Sequence, residues 1–150
     1  MVTRAEIVAE ARRWIGTPYH EQASVRGRGC DCKGLVVGVA RACGLPEAEG
    51  FHACLANYGP RVDVALLRRG LESELRQVAI PRPGDVLLLR VRGKPQHLGL
   101  MVEGGRMVHC WGAGMQQVVS AAWTVGRAQR ELDSAWAFPS LLAAEEAVYG

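Results

Sequence analysis

Cys32, His97 and His109 are the side chains of this chain that could cooperate in covalent chemistry. Cys32 lies in the run Gly29-Cys30-Asp31-Cys32-Lys33-Gly34-Leu35, where a polar loop gives way to apolar residues at helical spacing. A thiol at a helix start meets unpaired backbone N–H groups and the positive end of the helix dipole, and both favour thiolate. That position predicts a thiol pKa below the ordinary ~8.5 and a nucleophilic sulfur. A nucleophilic cysteine with histidines distant in sequence is the pattern of a cysteine hydrolase.

The two histidines share a site only under a geometric condition. Strands are expected at Leu98 to Val102 and Met107 to Trp111, joined across Gly104-Gly105. Side chains alternate along a strand, so a two-residue turn at the glycines would send His97 and His109 to opposite faces. A three-residue turn ending in a left-handed residue restores the match, and either glycine suits that place. With Gly104 there, the histidines come directly opposite, ~5 Å apart at Cβ; with Gly105 they sit diagonally at ~7 Å. A shared site requires a bulged hairpin.

The elements that must position these residues fall into two halves. Thr3 followed by Glu6 reads as a capping box opening a first helix, with Ile7, Val8, Ala11, Trp14 and Ile15 as its apolar stripe and Gly16-Thr17-Pro18 as its stop. A loop covers residues 17 to 30. Asp31 caps a second helix whose stripe is Leu35, Val36, Val39, Ala40 and Cys43. A third helix is expected from Asp63 to Gln77, with Gly70 inside it as a weakness. After Pro81-Arg82-Pro83-Gly84 come strands, first Val86 to Val91 and then the hairpin, with weaker candidates at Gln117 to Ser120 and Trp136 to Phe138. Helices followed by a meander of strands imply one α+β domain over residues 1–150, with an antiparallel sheet. The apolar segment Leu141 to Val148, within a possible docking helix at 139–150, could pack on the domain or on a partner.

Composition excludes several classes. The net charge is +3, with no basic stripe, so no nucleic-acid partner is expected. No apolar run approaches a membrane span, and the N-terminus reads as a helix and not a secretion signal. Five cysteines, an odd number at irregular spacing, argue against a disulfide framework. Each candidate also has a plainer reading. Cys32 could be a buried thiol, though its place beside Asp31 and off the apolar stripe favours the reactive one. His97 and His109, read singly, could each be structural. Cys30, Cys43 and Cys54 read as structural, Lys33 as a solvated helix residue, and Tyr19 as a core aromatic. A zinc site of Cys30, Cys32, His109 and Cys110 has enough ligands but not the usual spacing, so neither metal nor cofactor is expected.

Together these residues resemble a known family. Trp14-Ile15-Gly16-Thr17-Pro18-Tyr19, Gly29-Cys30-Asp31-Cys32-Lys33-Gly34-Leu35-Val36, Pro83-Gly84-Asp85-Val86, His97-Leu98-Gly99-Leu100 and Met107-Val108-His109 are similar to segments of the NlpC-type papain-like cysteine peptidases that cut bacterial cell-wall peptides. They come in the family's order and cover roughly residues 5 to 112. The resemblance implies a papain-like α+β fold with N-terminal helices packed on a C-terminal antiparallel sheet. It implies Cys32 as nucleophile, His97 as general base and His109 as the residue that orients it. Tyr19 and the Cys32 backbone N–H would bind the oxyanion, with Asp31 and Lys33 beside them in the substrate-binding set. Activity is expected to rise with pH as a thiolate–imidazolium pair forms. The implied substrate is the γ-D-glutamyl to diamino-acid bond of peptidoglycan stem peptides.

Two residues depart from the family pattern. Lys33 stands where serine is commoner, and Cys30 is unusual. A Cys30–Cys32 disulfide between residues so close would be strained. The stretch from Gly16 to Ser24, with Gly-Cys-Asp-Cys, resembles the subgroup encoded with phage tails and gene transfer agents. That implies tail hub or baseplate proteins as partners. It also implies a chain made in the cytoplasm without a signal peptide, carried in a particle and acting at the recipient's wall. The alternative is a structural tail-tip subunit with this fold and little or no activity.

Overall fold

The computed structural model describes residues 1–55, 63–112, 116–123 and 131–149. Helix α1 (Arg4–Arg13) opens with the expected capping box, Thr3 and Glu6 each accepting the other's backbone N–H. Ile7, Val8, Ala11 and Trp14 are buried, and the Trp14 indole N–H donates to the Glu10 carboxylate at 2.9 Å. Ile15 is not part of this stripe. The helix ends at Arg13, the chain leaves the helical period, and Ile15 is exposed.

A small antiparallel ribbon, β1 (Ser24–Val25) and β2 (Gly29–Cys30), leads into α2 (Cys32–Ala42). Asp31 caps α2 by accepting the Gly34 N–H, and Leu35, Val36, Val39 and Ala40 fill the core beneath it. An unanticipated helix, α3 (Glu47–Leu55), follows, and then α4 (Val64–Glu74), capped by Asp63. The expected helix to Gln77 stops at Glu74, because Leu75 is extended and Arg76–Val78 forms strand β3. Gly70 does not weaken this helix pair but serves it. A Cβ there would press on Cys54, and one at Gly50 would lie 2.4 Å from the Glu74 carboxylate, so both glycines let α3 and α4 approach closely.

The remaining strands are β4 (Val86–Val91), β5 (Lys94–Val102), β6 (Arg106–Cys110), β7 (Val118–Ala122) and β8 (Leu132–Ala137). With β3 they make one antiparallel sheet in the order β3-β8-β4-β5-β6-β7. Strand alternation gives it two apolar faces. Val86, Leu88, Leu98, Leu100, Val102 and Val108 join the helices in the main core. Leu87, Leu89, Met107, Trp123 and Ala135 form a second cluster on the opposite face. The C-terminal helix α5 (Pro139–Tyr149) docks on the protein itself: Leu141 is fully buried in the main core, and Glu145 bonds Arg4 and Arg82. Residue 150 of the expected docking segment lies outside the described residues. The α+β architecture is as expected, with five helices and six sheet strands among the described residues.

Candidate active site

The β5–β6 hairpin meets the geometric condition for a shared histidine site. Gly99 pairs with His109 and Val102 with Arg106, leaving the three-residue loop Glu103-Gly104-Gly105. Gly105 is left-handed at φ 66°, and Gly104 also has positive φ. This is the diagonal register. It brings His97 Nε2 within 2.9 Å of His109 Nδ1, with ring centroids 5.1 Å apart. Trp111, which continues the same alternation past His109, sets its ring edge-on to His97 at 4.9 Å. Both imidazoles are buried, and they line a cleft of about 430 Å³ with Leu89, Met107, Trp111 and Glu131.

Cys32 is the first residue of α2 and is only 5% exposed. Helix α2 packs on β5 and β6, and the Cys32 sulfur lies close enough to the backbone N–H of Leu98, the residue after His97, to be influenced by it. The nucleophile candidate therefore approaches β5 at the residue next to His97, while the histidine rings line the cleft with Leu89 and Met107. Its electrostatics correct the expectation of a depressed thiol pKa. Burial pushes the thiol up, and it outweighs the downward pull of Lys33 and of the Leu98 N–H. The sizes of the effects explain the outcome. A helix end contributes ~0.3–1 kcal/mol, under one pKa unit, whereas full burial can shift a group by ~3–5 units.

Burial acts on the histidines in the opposite direction. It lowers His97 to about 3, helped by the charges of His109 and Lys33, and lowers His109 to about 4. The resting site is therefore a neutral thiol beside neutral imidazoles, and not a standing ion pair. One proton must lie between His97 Nε2 and His109 Nδ1. If His97 donates it, His97 Nδ1 keeps a lone pair, and that nitrogen is buried with no hydrogen-bond partner within the protein. This is the tautomer a general base needs.

Three further candidates surround the thiol. Tyr19 is held by backbone bonds, its N–H to Gln116 O at 2.8 Å, and its strand-like bridge to Cys30 keeps it beside the nucleophile segment. Its ring lies against Gly112, where a Cβ would come within 2.6 Å of the phenol. Burial raises its pKa first, with Asp31, Glu21, Cys32 and Cys110 adding to the effect, so the hydroxyl stays a donor. Asp31 spends both carboxylate oxygens on backbone, accepting Gln22 N–H at 2.8 Å and Gly34 N–H at 2.7 Å. Its visible work is to shape the turn that presents Cys32. Lys33 places its ammonium 3.9 Å from Asp31 and lines a cavity of about 190 Å³ with Ser24, Val37, His52 and Leu55.

The sequence profile of the NlpC/P60 family matches residues 16–130. The chain belongs to the NlpC/P60 family. Its fold is similar to that of the NlpC/p60 domain of the peptidoglycan hydrolase SagA, at 24% identity and TM-score 0.59, covering 91% of this chain and 100% of that domain. It is also similar to the peptidoglycan hydrolase RipB from Mycobacterium tuberculosis, at 19% identity and TM-score 0.58, over 89% of this chain and 63% of that one. RipD from the same organism, described as a non-catalytic NlpC/p60 domain protein adapted to peptidoglycan binding, matches at 15% identity and TM-score 0.55 over 93% and 98%. Against four other similar structures the chain spans 40% to 47% of their length. No curated protein matches the sequence. NlpC/P60 domains are generally cell-wall peptidases, and some have lost catalysis.

Other features of this NlpC/P60 site escaped the sequence. The Leu98 N–H that influences the thiol is a backbone group and carries no residue signature. Trp111 was accessible: in the diagonal register it falls opposite His97 once the loop is assigned to Glu103-Gly104-Gly105. Cys110, considered only as a zinc ligand, turns its sulfur to the Cys30 carbonyl at 3.5 Å. Among the described residues no group of three or more His, Cys, Asp or Glu is arranged to hold a metal. No described helix is long and apolar enough to cross a membrane.

Proposed function

We propose that this NlpC/P60 chain is a cysteine endopeptidase of peptidoglycan stem peptides, with Cys32 as nucleophile, His97 as general base and His109 orienting the base. The observation that carries this reading is the 2.9 Å histidine pair, with its partner-free His97 Nδ1, on the strand whose Leu98 the helix-start thiol approaches. Because the resting groups are neutral, the proton moves with the attack. His97 Nδ1 takes the Cys32 proton as the sulfur bonds to the scissile carbonyl carbon. The oxyanion is met by the Cys32 backbone N–H and the Tyr19 hydroxyl. Collapse breaks the C–N bond, the leaving amine takes the proton from His97, and a thioester remains. Water, deprotonated by His97, then releases the acid and restores the thiol. His109 accepts the His97 Nε2–H throughout and so supports the transient imidazolium.

The bond in this reading is γ-D-glutamyl to diamino acid, and the setting is the tail of a phage or gene transfer agent, with tail hub or baseplate proteins as neighbours. Support for the setting is the Gly16 to Ser24 stretch together with Gly-Cys-Asp-Cys. Purified sacculi incubated with the protein are expected to release muropeptides, and the Cys32→Ala variant to release none. Equal release by the two proteins, or none by a wild-type sample with an intact melting transition, overturns the peptidase assignment. The second outcome favours a binding subunit, as described for RipD. The tail setting predicts that particles purified from a producing strain contain the chain by mass spectrometry.

A further inference from the structure

Two cysteines that this chemistry does not use meet beside it. Cys30 ends β2, two residues before Cys32, and Cys110 ends β6, directly after His109. Both are buried, at 0% and 1% exposure, and each thiol is close enough to shift the other's titration. The Cys110 sulfur also lies 3.5 Å from the Cys30 carbonyl oxygen, although the two residues are 80 positions apart. For Cys30 a disulfide to its near neighbour Cys32 would be strained, and the cysteine that reaches its segment is Cys110.

We propose that Cys30 and Cys110 form a redox pair whose disulfide staples the segment presenting Cys32 to the strand presenting His109. The reaction is exchange with a low-molecular-weight disulfide, RSSR. Cys110 loses its proton to solvent and attacks one sulfur, releasing RS⁻ and leaving a mixed disulfide. Cys30 gives its proton to that RS⁻ and attacks the Cys110 sulfur. The S–S bond to the small thiol breaks, and the second RS⁻ takes up the proton Cys110 had lost. Two protein thiols are oxidised and one small disulfide is reduced to two thiols. Burial of both sulfurs makes the exchange wait on local opening, so it is slow. In a reducing compartment the pair stays as thiols, and in an oxidising one the staple forms.

The staple has one physical consequence. It closes a long loop, which restricts the unfolded chain far more than the folded one. The cross-link rests on the Cys30 and Cys110 geometry and holds whatever the activity of Cys32.

The test uses the full chain with Cys43→Ser and Cys54→Ser, two positions outside the site, equilibrated in graded glutathione buffers. Peptide mapping is expected to find one disulfide, Cys30 to Cys110, with Tm raised by about 10 °C. Cys110→Ala and, independently, Cys30→Ala should abolish both changes. No linked peptide in the most oxidising buffer, a disulfide that includes Cys32, or an unchanged Tm overturns the pair. Mapping and melting need no substrate, so they stand whatever sacculi show.

Discussion

Where Arg4 meets Asp85, both buried carboxylate oxygens are taken: Oδ1 accepts the Arg4 guanidinium at 2.8 Å, and Oδ2 accepts the Arg82 N–H at 2.8 Å. Arg4 goes on to Pro83 O and Glu145, and Glu145 to Arg82, so the cluster ties α1, the turn before β4 and α5 together. Where His97 meets His109, one short contact joins the rings, and two buried ring nitrogens, His97 Nδ1 and His109 Nε2, have no partner within the protein. A cluster that only holds a fold gains nothing from leaving polar atoms short, since each costs ~1–3 kcal/mol. A base must keep a lone pair unspent. The contrast separates a polar tie, with both carboxylate oxygens spent, from a polar tool, a histidine pair that keeps a lone pair in reserve, as the proposed base requires.

Breaking the two clusters should give opposite results. His97→Ala is expected to lower sacculus hydrolysis by about 10²–10⁴-fold while the protein still melts cooperatively, as for loss of a general base. Asp85→Ala should cost about 3–5 kcal/mol in a denaturant titration, because Arg4 is left partly buried without its partner. The fraction that stays folded should cleave at the wild-type rate per molecule. If instead Asp85→Ala spares stability, or His97→Ala spares hydrolysis, the division between tie and tool fails.

pH sharpens the same contrast. His97 and His109 are held at about 3 and about 4 in the folded protein, below the ordinary ~6.5 that applies to the unfolded chain. As pH falls from about 6.5 toward 4, the unfolded chain binds protons that the folded one refuses, so stability drops across that window. Tm should follow, and His97→Ala should flatten the slope. For Cys32, whose thiol burial has raised, iodoacetamide labelling should climb steadily with pH up to and beyond about 9. A plateau between about pH 6 and 8 would instead report a standing thiolate–imidazolium pair.

The legible parts of the molecule were those written in local chemistry. Thr3 with Glu6 and Asp31 before Cys32 are caps whose partners lie three residues away, and both appear as read; Asp63, expected as the first residue of its helix, is the cap of α4. The histidine pair was legible up to one binary choice, between Gly104 and Gly105 as the left-handed end of the loop, and the register chose Gly105. Helix α3 was hidden because Gly50 interrupts its pattern, and its reason for being glycine is Glu74 on another helix. Strand β3 is three residues of mostly exposed edge, too short to show alternation. The thiol pKa was misjudged for a related reason. Position at a helix start can be read from sequence, whereas the depth of burial depends on what β5 and β6 place over it.

The smallest expected effect concerns Tyr19, which belongs to neither cluster but borders the tool. Its hydroxyl can serve an oxyanion only if the ring stays over Gly112, where a Cβ would come within 2.6 Å. No positive φ constrains Gly112, so alanine is tolerated by its backbone and acts only through the ring. Gly112→Ala should therefore lower kcat several-fold, with KM and Tm nearly unchanged. Tyr19→Phe, which deletes the donor and leaves the ring, should lower kcat further, toward the ~10²-fold seen for loss of an oxyanion donor. The double variant should be no worse than Tyr19→Phe alone, because a displaced ring without a hydroxyl has nothing left to lose. Additive losses would mean that Gly112 acts on the site by another route, such as the placement of Trp111, its neighbour in the chain and the ring that meets His97.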